Sequence, residues 1–137
     1  MEFFTNLHQC SDCGLIALRV AIGVIFLYHG KMKMAMWGMK PSAQMPAGMI
    51  SLMKLLSICE PLGAVAVLSG FLTQLACIGL SIIMVGAAVM KSKTMKIPFA
   101  SSTNTGWEFD FMILAGTIAL TFFGAGKWAI DHYIFNM

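Results

Sequence analysis

From Pro61 to Met90 no residue carries a formal charge, and the stretch is entered by a carboxylate, Glu60, that has apolar sequence on both sides. One helix of about 30 residues would be about 45 Å long and would overshoot a hydrocarbon core of about 30 Å, so the stretch has to fold back once as a helical hairpin. The carboxylate constrains the fold as much as the apolar run does. An ionisable group inside a spanning helix costs roughly 2.5–3.5 kcal/mol on insertion scales, and it persists where it faces the bundle interior with a partner or a function. Glu60 is the first candidate functional residue.

The chain has 137 residues, 58% of them hydrophobic and 11% charged. Soluble domains average about 25% charged residues, so there is too little polar surface here to cover a water-soluble globule. The expected class is all-α: a polytopic membrane protein, a four-transmembrane-helix bundle forming a single membrane domain over residues 1–137, with the lipid bilayer as its solvent. The length leaves no room for a soluble catalytic domain. The start, Met1-Glu2-Phe3-Phe4, lacks the basic segment of a secretory signal, so the whole chain is expected to remain in the mature protein. The net charge of +3 sits at helix ends, where lysines anchor and orient, and no nucleic-acid partner is expected.

The spans are read as residues 15–34, 52–72, 75–90 and 107–123, with Thr73-Gln74 as the tight polar turn of the hairpin. Pro41 and Pro46 break the longest connection, and Gly124-Ala125-Gly126 ends the fourth span before a short amphipathic tail. Of the nine basic residues, all but Arg19 and Lys127 lie in the connections between spans one and two and between three and four or at the span ends that border them. Lysine-rich short loops mark the cytoplasmic side of a cell membrane, so both termini are expected to face outward.

Counting about 1.5 Å per residue from the terminal side, His29 lies about 21 Å deep and Glu60 about 18 Å deep, level with each other, with Glu108 about 27 Å deep. Arg19 sits about 6 Å from the same face, near the exit of Asp131. Two polar clusters are therefore expected: His29, Glu60 and Glu108 towards the lysine side, and Arg19 with Asp131 towards the termini. An Arg19–Glu60 contact is a further arrangement open to tilted helices. Glu60, Gly63, Ala64, Val67 and Gly70 share one stripe of the second span, so the carboxylate lies on the face with the smallest side chains and points into the bundle. Gly79, Gly86 and Gly116 are candidates for matching close contacts. The inner residues fit an interhelical hydrogen-bonded lock as well as a proton or ligand site.

Cys10 and Cys13 form a C-x-x-C just before the first span, a possible redox pair, with Cys77 at the terminal-side start of the third span and Cys59 beside Glu60. A disulfide and idle thiols are the competing readings. A closed zinc site takes about four ligands, and only Cys10, Cys13 and His8 are on offer, so no metal centre is expected. Met32, Met34, Met36, Met39, Met45, Met49 and Met53 crowd the first connection. Thioethers suit Cu(I), but Met45, Met49 and Met53 fall on one helix face, where methionine is an adaptable apolar filler.

The run Leu18-Arg19-Val20-Ala21-Ile22-Gly23-Val24-Ile25-Phe26-Leu27-Tyr28-His29-Gly30, followed by Glu60-Pro61-Leu62-Gly63, Gly70-Phe71-Leu72-Thr73, Gly106-Trp107-Glu108-Phe109 and Gly124-Ala125-Gly126-Lys127-Trp128-Ala129-Ile130-Asp131, resembles the DoxX family over Leu15 to Tyr133. Lys127 stands where the family commonly has Arg, and Ala129 where it commonly has Ser. The resemblance implies a four-helix bacterial or archaeal membrane protein, related to small subunits of thiosulfate:quinone oxidoreductase and to membrane partners of oxidative-stress complexes. Arg19, His29, Glu60, Glu108 and Asp131 all match its polar positions.

The leading expectation is a membrane subunit or accessory of a quinone-linked redox complex. It has no intrinsic cofactor and works with a partner redox protein or as a homo-oligomer. Reducing a quinone takes up two protons with two electrons, which an internal His and Glu are suited to supply. The chain has no flavin, haem or NAD fingerprint of its own, which favours a subunit over a complete enzyme. A non-enzymatic assembly or stability factor and a small proton-coupled transporter are the alternatives.

Overall fold

The computed structural model describes residues 10–43, 45–103 and 105–135, so His8 and the Met1-to-Phe4 start lie outside the described residues. All regular structure among these residues is helical: α1 (Ser11–Met34), α2 (Ala47–Ser69), α3 (Thr73–Val89), α4 (Trp107–Phe123) and the short α5 (Ile130–Phe135). The four long helices form a bundle in which α1 lies along α2 and α3 along α4, with narrower contacts of α2 on α3 and α1 on α4. Three helical segments, Ser11–Gly38, Ala47–Ser69 and Thr73–Thr94, are long and apolar enough to cross a membrane. Helix α4, with 17 residues, is about 26 Å long.

Several boundaries differ from the sequence reading, each for a local reason. Helix α1 begins four residues earlier than expected, so the C-x-x-C forms its N-terminal turn and not a leader to it. Helix α2 starts right after Pro46, whose extended ψ of 153° places it as the residue before the first turn, and it carries Lys54 well inside the helix. The third span runs on through a wider π turn, Met90–Thr94. The hairpin turn is Gly70-Phe71-Leu72, with Thr73 and Gln74 already in the first turn of α3. Gly70 adopts φ +70° and Leu72 φ +50°. The Phe71 amide donates to the Ala66 carbonyl (2.9 Å) and the Gly70 amide to Val67 (3.3 Å), closing α2 with a Schellman turn that calls for glycine.

The core between the helices is built from Ile22 and Phe26 of α1, Ala64 and Val67 of α2, Cys77, Leu80 and Met84 of α3, and Ile113 and Leu120 of α4. Small residues set the close approach of α1 to α2, but not all of those the sequence pointed to. A Cβ on Gly30 would stand 2.4 Å from the Pro61 ring, and one on Gly23 2.4 Å from the Leu68 side chain. Gly63 faces Leu80 and Gly116 faces Ile22, whereas Gly79 and Gly86 face open space. The bundle uses its α3 glycines for no helix contact, because α3 meets α4 through larger residues and a hydroxyl chain. Ser81 donates to Thr117 (2.8 Å) and Thr117 to the Leu114 carbonyl (2.9 Å). Large apolar side chains such as Leu62, Ile82 and Phe122 cover the outside, as expected of a surface solvated by acyl chains.

This packing separates two glycines that look alike in sequence. Gly30→Ala is expected to destabilise the bundle by about 1–3 kcal/mol, since the new methyl meets a rigid pyrrolidine ring. Gly79→Ala, with open space around it, should be neutral or stabilise by up to about 1 kcal/mol through helix propensity. Thermal unfolding of the two variants in one detergent tests the ordering.

Candidate functional site

Glu60 is fully buried on the inward stripe of α2. One of its carboxylate oxygens, Oε1, takes the ammonium of Lys33, which arrives from the last turn of α1. The other oxygen, Oε2, is buried without a hydrogen-bond partner. The side chain of Lys33 keeps 21% exposure, so the pair spans from the dry interior to the edge of the bundle. Lys33 was read from the sequence as a loop anchor. It reaches Glu60 because α1 stays helical through Met34 and carries Gly23, Phe26, Gly30 and Lys33 along one inward edge.

The expected His29–Glu60 pairing does not form. The His29 ring lies half-buried, its Nδ1 2.9 Å from the Ile25 carbonyl one turn back in the same helix. Its face stacks on Phe109 of α4, with centroids 5.9 Å apart and planes inclined by 29°. If Nδ1 donates to that carbonyl, Nε2 is left as an acceptor. Glu108, half-buried in the first turn of α4, precedes Phe109 and donates its own amide to the Phe99 carbonyl (3.0 Å). His29 thus packs on the residue that follows Glu108, while Glu60 is tied to Lys33. No hydrogen bond joins any two of His29, Glu60 and Glu108 among the described residues.

A second internal ion pair escaped the sequence reading. Asp110 of α4 is buried and meets Lys91, on the π turn after α3, at 2.8 Å. Asp110, Ile113, Thr117 and Leu120 form the buried stripe of α4, so helical periodicity counted back from Leu120 selects position 110. The sequence reading selected Glu108 instead, one position with its neighbour Trp107 at the helix start. Each helix pair therefore carries its own lysine–carboxylate bridge at the lysine end: Lys33–Glu60 between α1 and α2, Lys91–Asp110 between α3 and α4. Nearby, Trp37 Nε1 donates to the Ser57 hydroxyl (2.9 Å), which donates to the Lys54 carbonyl (2.7 Å).

At the opposite end Arg19 is 4% exposed and spends its guanidinium on backbone. Nε donates to the Val67 carbonyl (2.8 Å), Nη2 to Leu68 (2.7 Å), and Nη1 to Ala125 (3.1 Å) and Trp128 (3.2 Å). Asp131 receives the Leu72 amide on Oδ1 (2.7 Å) and the Thr73 amide on Oδ2 (2.9 Å), and its own amide donates to the Gly70 carbonyl (2.7 Å). A cation thus closes the C-terminus of α2 and an anion the N-terminus of α3, each complementing the helix dipole. Arg19 and Asp131 work on the same turn without a direct ion pair, and Arg19 does not reach Glu60. Their bonds are all to the chain's own backbone, which makes them structural.

Cys10 and Cys13 are exposed at the start of α1, Cys59 is exposed, and Cys77 is enclosed in the core; all four are free thiols. Burial takes Cys77 out of reach of the N-terminal pair. Met45, Met49 and Met53 lie half-buried at the entry to α2. Beside the first turn of α1, a cavity of about 790 Å³ opens between α1, the start of α3 and the α4–α5 connection.

The chain is 28% identical over 133 residues to the Bacillus subtilis (strain 168) protein titled "Putative oxidoreductase CatD", an alignment covering 95% of this chain and 93% of that relative. No solved structure matches it. The DoxX family profile matches residues 14–92, the part that holds Arg19, His29, Lys33 and Glu60, and with more than half of its length so matched the chain belongs to the DoxX family.

Proposed function

We propose that this protein is the membrane subunit of a quinone-linked redox complex, in which the Lys33–Glu60 pair is the internal proton-carrying site. The observation that carries this reading is the Glu60 carboxylate itself: fully enclosed, bonded through one oxygen to Lys33, and with the other oxygen unpartnered. A purely structural ion pair gains most when both carboxylate oxygens are satisfied, because each unpaired buried polar atom costs about 1–3 kcal/mol. An open lone pair in a dry interior is an address for a proton. Lys33, with 21% of its side chain exposed, links that site to the lysine end of the bundle.

The redox assignment is supported by the family and by the oxidoreductase title of the Bacillus relative. A quinone gains two protons with every two electrons, so a bundle with a buried protonatable group complements a partner that supplies the redox centre. In this reading the chain crosses a prokaryotic cell membrane four times, with the termini outside and the lysine-rich connections in the cytoplasm. His29, stacked on Phe109 beside Glu108, is the second polar group at that end and the next candidate for proton exchange.

Gentle extraction of the native complex, followed by identification of the proteins and lipid-soluble molecules that stay attached, tests the reading. Retention of a redox protein and a quinone is the expected result. A chain that copurifies with neither, in membranes that reduce quinone equally well without it, would remove the redox role.

A further inference from the structure

We infer that Cys10 and Cys13 form a redox-active dithiol that passes electrons to a quinone head group held in the adjoining cavity. The inference rests on the quinone-linked reading for its electron acceptor, and adds to it a donor and a separate head-group place at the terminal end of the bundle, opposite Lys33–Glu60, where the thiols and not Glu60 supply the protons.

Three observations meet at this point. The two cysteines occupy the position before α1 and the third residue of its first turn, exposed and unpaired, and no side chain caps that helix. Side chains three apart on a helix have Cβ atoms about 5–6 Å apart, and a disulfide needs about 3.5–4.5 Å. Cys10 lies outside the helix proper, with φ −96° and ψ 20°, so a small rotation there closes the gap without unwinding α1.

The turn is also fixed in place. Asp12, between the two cysteines, accepts the backbone amide of Lys127 at 3.0 Å. That bond holds the dithiol turn against the α4–α5 connection and makes Ser11, Asp12 and Gly14 part of the cavity wall.

The cavity suits an aromatic head group with two carbonyl oxygens. Its volume of about 790 Å³ is within the range of small-molecule sites, about 300–1,000 Å³. Leu15, Phe122 and Phe123 supply apolar walls, and Gln74, Lys127 and His132 are the polar residues of the lining beside Ser11, Asp12 and Asp131, with the Gln74 amide also donating to the Thr121 carbonyl (2.9 Å). Phe122 also borders an apolar groove of about 410 Å³ between α3 and α4, lined by Ile78, Ile82, Leu114 and Ile118. Phe122 is common to both linings, and an isoprenoid tail passing that ring would reach the apolar groove.

The step balances within these components. The two thiols lose two electrons and two protons and form the Cys10–Cys13 disulfide; the quinone gains two electrons and two protons and leaves as the quinol. Thiol–disulfide exchange with a reduced dithiol of another protein restores the cysteines and oxidises that dithiol.

The test uses the full chain in lipid nanodiscs, reduced, freed of reductant and mixed with decylubiquinone. Quinol is followed by absorbance and the Cys10–Cys13 peptide by mass spectrometry after alkylation. One quinol per chain and a disulfide-linked peptide are expected, with none from Cys13→Ser. Ala119→Phe, which fills the cavity from α4, should slow the reaction at least tenfold while both thiols still alkylate at the native rate; Leu15→Trp does the same from α1 and serves if the first variant misfolds. Equal rates in a folded cavity-filled variant would overturn the site. Thiols that stay reduced while quinone is bound would overturn the dithiol step and leave the quinone-linked reading standing. A native complex that retains no quinone would overturn both.

Discussion

Arg19→Leu is expected to lower the stability of the bundle by on the order of 3–5 kcal/mol, the cost of removing one member of a buried charged network. The guanidinium serves four carbonyls, those of Val67, Leu68, Ala125 and Trp128, and so ties the end of α2 to the connection that carries α5. Leucine fills the volume but donates nothing. Each carbonyl left dry costs about 1–3 kcal/mol, and water entering at this end recovers part of the sum. Arg19→Lys should recover less than half of the loss, because an ammonium is a point donor and cannot fork towards two chain segments. Chemical unfolding gives the magnitude. Limited proteolysis gives the location: the variant should be cut between Gly124 and Ala129 faster than the native chain.

Glu60→Gln carries the largest expected effect on activity. Its structural cost should be small, about 1–2 kcal/mol, because Lys33 keeps a partly exposed stem and can carry its charge outward to the interface. Quinone-linked electron transfer should fall at least tenfold, since an amide cannot accept and release the proton. Lys33→Met has the opposite profile for stability, stranding a fully buried carboxylate and destabilising more than Glu60→Gln does. The double variant should recover part of that loss, with a coupling between about 0.5 and 3 kcal/mol. It should remain inactive. Stability restored without activity separates a proton site from a structural lock, which would recover in both.

The inward stripe of α2 was legible in the sequence because it depends only on helical spacing: Glu60, Ala64, Val67 and Gly70 are buried and Gly63 is half-buried against Leu80. The four-helix plan was legible for the same reason, from runs of apolar residues and the glycines that end them. Partner choice was not. Equal depth suggested His29 for Glu60, but depth along a helix says nothing about which face a residue occupies. Residues 23, 30 and 33 face α2, whereas 29 is turned toward Phe109 of α4. Asp110 was passed over because its neighbour Glu108 matched the family pattern, although the spacing back from Leu120, Thr117 and Ile113 pointed to 110. Arg19 and Asp131 meet on one turn, and their bonding was hidden, since both side chains bind backbone and leave no complementary residue in the sequence to find.

The rate of quinone reduction in membranes carrying Glu60→Gln, set against the native chain at matched abundance and with Lys40→Gln as a surface-charge control, bears on the buried carboxylate more directly than any other measurement. A tenth of the native rate or less for Glu60→Gln, with Lys40→Gln unchanged, is the expected result. Native rates from a stably folded Glu60→Gln protein would contradict it.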